Sequence, residues 1–112
     1  MNVYDCANDL AKAIKTSHEF GKIQEARTVL KEDPKAEELA NDFLKLSQEI
    51  ELAKYQGQEV SKEKEEKLQN LSSLLSLNPK AMDYIHAFIR MQMMLADVSK
   101  TINDVVKEAI GE

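Results

Sequence analysis

The sequence has few of the residues that break helices or build chemical sites. Three glycines and two prolines in 112 residues leave little turn-forming material. A single cysteine, Cys6, excludes an internal disulfide and leaves no cysteine pair for zinc or an iron–sulfur cluster. We therefore expect a reducing compartment and a buried or half-buried Cys6 thiol. The two histidines, His18 and His86, belong to no metal-binding or catalytic spacing, so surface or core-edge positions are expected for both.

Phosphate loops, calcium loops and membrane spans are lacking as well. The glycines stand singly at positions 21, 57 and 111, and no apolar run approaches the ~20 residues of a membrane span. Twenty acidic residues outnumber fifteen basic ones, and because the basic ones are scattered, no stripe for nucleic acid exists. The sequence predicts a cytoplasmic, non-enzymatic protein with no cofactor, no metal, no membrane insertion and no direct contact with nucleic acid.

Good helix formers make up most of the chain, and apolar residues recur at spacings of three and four. The pattern predicts an all-α fold, a small bundle of about five helices in one domain over residues 1–112. A capping box from Thr16 to Glu19 is predicted to begin the second helix. Asp33-Pro34 and Asn78-Pro79 are each predicted to be an N-cap followed by the first residue of a helix. The predicted helices are residues 2–15, the segment from the capping box to Asp33, Pro34 to about Tyr55, a helix capped by Ser61, and Pro79 to about Ile110.

The fifth helix carries more apolar residues than one small core needs. At ~1.5 Å per residue it extends roughly 48 Å, against a radius of gyration of ~13 Å for a compact chain of this size. Two adjacent apolar sets along its first half favour burial on two sides, as when two protomers share a core. The alternative is a monomer that wraps its other helices around this one. The candidate residues for a dimer or protein contact are Tyr84, Phe88, Met91, Met94, Leu95, Val98 and Ile102.

The methionines of this helix allow two interpretations. They can fill core gaps, which is the commoner use, or they can form an adaptable contact surface. The middle of the helix is the candidate surface for another protein, with Phe88, Met91, Met94 and Leu95 as its residues. Met94 lies between Arg90 and Asp97, off the main apolar stripe, so burial is least expected there.

Several local sequences resemble the YlbF/YmcA/YheA family of small helical proteins from Gram-positive bacteria, with the YheA branch as the nearest likeness. They are residues 10–17 (LAKAIKTS), a helix ending in Leu30-Lys31-Glu32-Asp33, Phe43 in the third helix, and Leu77-Asn78-Pro79 followed by Tyr84. The resemblance covers nearly the whole chain. It implies a helical dimer that acts as an accessory factor in RNA processing and developmental regulation. Some members hold iron–sulfur clusters with cysteines near the C-terminus, where this chain has none.

Three classes of function follow from these observations. A protein-interaction adaptor or regulator, acting as a homodimer or higher homo-oligomer with further protein partners, agrees best with the apolar fifth helix. A structural, self-assembling bundle without a regulatory partner is the first alternative. A small-molecule binder or unrecognised enzyme is the second.

Overall fold

A computed structural model describes all 112 residues and contains five α-helices and no strand. The helices are α1 (Val3–Lys15), α2 (His18–Lys31), α3 (Pro34–Tyr55), α4 (Lys62–Ser76) and α5 (Pro79–Ile110). The predicted all-α fold of five helices with one long C-terminal helix is confirmed. The ends of α3 and α5 fall where the sequence placed them.

Two Asx-Pro pairs begin α3 and α5. The Ala36 amide donates a hydrogen bond to Asp33 Oδ1 at 3.2 Å, and the Ala81 amide donates one to Asn78 Oδ1 at 3.1 Å. Each bond satisfies one of the amides that a helix start leaves without an intrahelical acceptor. Both predicted N-caps are confirmed.

The predicted cap of α2 is wrong by one residue. Ser17 immediately precedes α2 and caps it: its Oγ accepts a hydrogen bond from the Phe20 amide at 3.2 Å. Thr16 instead ends α1, where its hydroxyl donates to the Lys12 carbonyl at 3.1 Å. Because the two helices are separated by only two residues, Ser17 serves both helix ends: its hydroxyl also donates to the Ile14 carbonyl of α1 at 2.6 Å.

Glycines in left-handed backbone conformations follow two of the helices. Gly57, with φ of 74°, follows the C-cap of α3, and Gly111, with φ of 79°, ends α5. A residue with a Cβ is strained at such φ values, which is why glycine is favoured just past a helix end.

The contacts along the chain define two compact units. We call residues 26–85 the central unit, and residues 1–25 together with 86–112 the terminal unit. The helices α2 and α5 contribute residues to both. A single domain over residues 1–112 therefore stays a prediction.

The central unit contains a well-packed core. α3 packs against α4, and the predicted apolar repeat of α3 supplies buried Ala36, Leu46 and Ile50. Lys80 Nζ lies 3.9 Å from Asp33 Oδ2, which links the first turn of α5 to the cap of α3. The buried cluster comprises Leu30, Ala36, Ala40, Leu75, Ala81 and Ile85, with Leu39, Phe43, Leu44, Met82 and Tyr84 packed against it.

We expect Asp33→Ala and Asn78→Ala each to lower the free energy of unfolding by ~1 kcal/mol, because each leaves a helix-start amide without its acceptor. Urea titration measures the change. Asp33→Asn is the matched control: it keeps the capping oxygen and loses only the partly exposed ion pair with Lys80, so its effect should be below ~0.5 kcal/mol. An Asp33→Asn loss as large as that of Asp33→Ala would assign the stabilisation to the Lys80 contact instead.

Candidate protein-interaction surface

The terminal unit buries very little of its apolar surface. Its one buried residue is Ala87, which is 6% exposed, while every other buried hydrophobic residue lies in the central unit. No residue of α1 is buried, although Val3, Ala7, Leu10 and Ile14 lie on one face of that helix. About half of the protein therefore consists of helices with an apolar face. Such a face normally packs against a buried core, and here it does so only in small part.

Large apolar side chains of the terminal unit lie open to solvent, most of all over the last turns of α5. Val3 is 82% exposed on α1, so the N-terminal end of the unit is uncovered as well. Soluble monomers rarely leave clustered apolar side chains uncovered, and such surfaces are typical of protein contacts. On α5 the exposed residues are Ile89, Met93, Ile102, Val105, Val106 and Ile110.

The seven candidate residues of the sequence fall into three environments. Tyr84 packs against the core of the central unit, and Phe88, Met91 and Leu95 are half-buried. Met94 and Val98 are half-buried too, but they line an open groove. Ile102 is 54% exposed. The structure therefore brings only Met94 and Val98 together in one cavity.

The groove lies between the start of α2 and the middle of α5, within the terminal unit. Its volume is about 400 Å³, and Met93, which is 62% exposed, forms part of its lining. Apolar side chains alternate in it with charged ones. The lining residues are His18, Glu19 and Lys22 from α2, and Ala87, Arg90, Met93, Met94, Asp97 and Val98 from α5.

The charges around this groove nearly balance. Lys22 and Arg90 oppose Glu19 and Asp97 in sign, with His18 beside them. Lys22 Nζ lies 3.7 Å from Glu25 Oε2, whereas neither Arg90 nor Asp97 takes part in an ion pair of the chain. The sequence places Arg90 and Asp97 on either side of Met94, off the main apolar stripe, and their part in a groove was not predicted. Their seven-residue spacing was the available signal, since residues seven apart share a helix face.

The histidine, cysteine and acidic side chains do not gather into a metal-binding group. No group of three His, Cys, Asp or Glu residues is close enough to hold a metal ion. His86 is exposed on α5, and Cys6 is half-buried, as predicted. None of the five helices combines the length and apolar composition that a membrane span requires.

Comparisons with known proteins point to one group of relatives. Residues 3–107 match the family described as "Control of competence regulator ComK, YlbF/YmcA". A UPF0342 protein of Caldicellulosiruptor saccharolyticus is 38% identical over 105 residues, covering 94% of this chain and 88% of the relative. A UPF0342 protein of Desulfitobacterium hafniense is 34% identical over 110 residues, covering 98% of this chain and 89% of the relative.

A solved structure supports the same grouping. The chain superimposes on a crystal structure of Bacillus subtilis RicA in complex with RicF with a TM-score of 0.61. The sequence identity is 25%, and the match covers 96% of each chain. The family predicted from the local sequences is confirmed.

We expect Leu95→Asp to destabilise the fold by about 2 kcal/mol or more, because it puts an unpaired charge into a half-buried position of α5. Thermal or urea unfolding measures the loss. Gln92→Asp, one turn earlier and exposed, carries the same helix-propensity cost and should lose less than ~1 kcal/mol. Equal losses at both positions would mean that Leu95 makes no stabilising contact.

Proposed function

Because the chain belongs to the YlbF/YmcA family, we propose that it is a non-enzymatic adaptor that acts through protein association. Its first partner is a second copy of itself, and the interface draws on α5, with Met94, Val98 and Ile102 among the residues. Further protein partners bind the assembled form. The process it serves is developmental regulation linked to RNA processing, as the family resemblance implies.

The observation that carries this proposal is the terminal unit without a core. Covering a large aliphatic side chain is worth ~1.5–3 kcal/mol when the burial is complete, so the exposed residues at the end of α5 offer several kcal/mol to a partner. A stable interface removes ~800 Å² of surface from each partner.

Precedent supports a role in binding other proteins. RicA, with which this chain shares its fold, forms a complex with RicF, and the family description names a regulator of competence. A structural bundle that only self-assembles is the alternative function. The two differ in whether a protein other than a second copy joins the assembly.

Self-association is tested by sedimentation equilibrium at micromolar concentration. We expect the wild type to sediment at about twice the 12.7 kDa of the chain, and Ile102→Asp to shift it toward the monomer, because a charge replaces an apolar contact. Leu52→Asp is the matched control, since Leu52 is 57% exposed on α3 and Ile102 is 54% exposed. A concentration-independent monomer in the wild type would contradict the proposal.

The adaptor role is tested by crosslinking and affinity capture from the native host. We expect the wild type and Leu52→Asp to capture the same protein other than the tagged chain, and Ile102→Asp to lose it. If the wild type captures only copies of itself, the structural bundle replaces the adaptor.

A further inference from the structure

We propose that α5 carries a second docking face, on the side opposite Ile102, and that this face binds an amphipathic helix of a different protein. The face is formed by Ile89, Met93 and Ala96, and we call it the Met93 face. The inference rests on the proposed adaptor function, and it names the surface that the further partner occupies and the chemistry of that partner.

The first argument is the direction of the exposed apolar residues around α5. Ile89 is 47% exposed, Met93 is 62% exposed, and Ala96 is exposed too. Their spacings of four and three residues place them within about 60° of one another around the helix. Met93 precedes Ile102 by about two and a half turns, so the two side chains leave the helix on opposite sides. The Met93 face is therefore separate from the end of α5 on which the proposed self-association rests.

The Met93 face continues an apolar row of α5 that is covered at its start. Ile85 is buried in the central core, and Met82 packs against that core. Ile89 and Met93 follow in the same row and are 47% and 62% exposed. A row of large apolar side chains that extends past the core is typical of a protein contact.

The second argument is the charge beside the Met93 face. Arg90 and Asp97 line the groove together with Met93, and neither forms an ion pair within the chain. They share one side of α5 and lie about 10 Å apart along its axis. From α2 the groove adds one cation, Lys22, and one anion, Glu19. A uniformly acidic or uniformly basic segment would therefore place like charges together in this groove.

These charges specify the partner. It is a helix with an acidic residue opposite Arg90 and a basic residue opposite Asp97, about seven positions away from the acidic one. Apolar residues between those two meet Met93 and Ile89, in the spacing of three and four that helices use when they bind to a groove. A crossing of about 20° keeps two helices in contact over the two turns that separate the charges.

The third argument distinguishes this partner from a second copy. A twofold contact on the Ile102 side cannot also cover the opposite side of the same helix. A copy that laid its Ile102 side on the Met93 face would make a head-to-tail contact, which builds rings or chains and not a closed pair. Lys100 and Asp104, the charged residues nearest to Ile102 in sequence, already pair with each other at 2.8 Å. That end of α5 thus offers no free charges of both signs to the groove.

A single substitution separates the two faces. We expect Met93→Glu to lower the recovery of the partner about tenfold in crosslinked affinity capture, because it puts a charge into the apolar contact. Its self-association, measured by sedimentation equilibrium, should stay within about twofold of the wild type. Leu52→Glu is the matched control, since Leu52 is 57% exposed and Met93 is 62% exposed, and it should change neither quantity.

Each outcome of this comparison decides between the faces. Partner recovery that survives Met93→Glu would overturn the Met93 face and leave the adaptor function in place. Self-association that falls as far in Met93→Glu as in Ile102→Asp would assign the face to the self contact. A wild type that captures no other protein would instead remove the adaptor function itself.

Photocrosslinking in the native host identifies what covers each face. A photoreactive p-benzoylphenylalanine in place of Met93 should crosslink to a different protein, and the same group in place of Ile102 should crosslink to a second copy. Tyr55, which is 91% exposed on α3, is the control position and should give neither product. A crosslink from position 93 to the end of α5 in another copy would indicate chain-forming self-assembly and would overturn the proposal.

Charge exchange tests the chemistry of the partner. The probe is a synthetic peptide of the partner segment crosslinked at position 93. We expect Arg90→Asp and Asp97→Arg each to raise its dissociation constant about tenfold at low salt, and Lys45→Asp, at an exposed position of α3, to change it less than about twofold. A peptide with its acidic and basic residues exchanged should bind the double variant within about threefold of the original pair. No recovery with the exchanged peptide would contradict the assigned pairing.

Discussion

The uneven burial of apolar side chains is the constraint on which the rest of the structure depends. The central unit encloses Leu30, Leu75 and Ile85 in a dense cluster, whereas the terminal unit buries only Ala87. Both units are built from helices with apolar faces, so the difference lies in what covers those faces. A helix with one uncovered apolar stripe gains most of its stability from the surface that it eventually meets. The terminal unit therefore leaves apolar side chains uncovered.

α5 contributes to both the central unit and the terminal unit because it is long. Its first two turns lie among the residues of the central core, and its remaining turns belong to the terminal unit. The cap at Asn78 and the glycine at 111 define its ends without any interruption between them. The same helix therefore contributes to the central core and carries exposed apolar residues in the terminal unit.

Much of this architecture could be predicted from local sequence. The pairs Asp33-Pro34 and Asn78-Pro79 combine a capping side chain with a residue that fits only the first helical turn, so they locate two helix starts. Thr16 and Ser17 could not be assigned in the same way, because two adjacent hydroxyls compete for the end of one helix and the start of the next. The seven-residue spacing of Arg90 and Asp97 indicated a shared helix face, but the groove itself could not be predicted, since it requires α2 to lie beside them. The sequence also could not predict which of the candidate residues would be buried and which would be exposed. Tyr84 and Ile102 share one apolar stripe, but only Tyr84 meets a core.

The central claim is that another chain covers the terminal unit, and amide hydrogen exchange at several protein concentrations tests it most directly. Protection that arises from association follows mass action, whereas protection that arises within a monomer does not depend on concentration. We expect the amides of residues 98–110 to exchange faster on dilution below the dissociation constant, while the amides of α3 around Leu46 keep their protection. Equal and undiminished protection of both segments at every concentration would show that the terminal unit is stable without a partner, and would contradict the account.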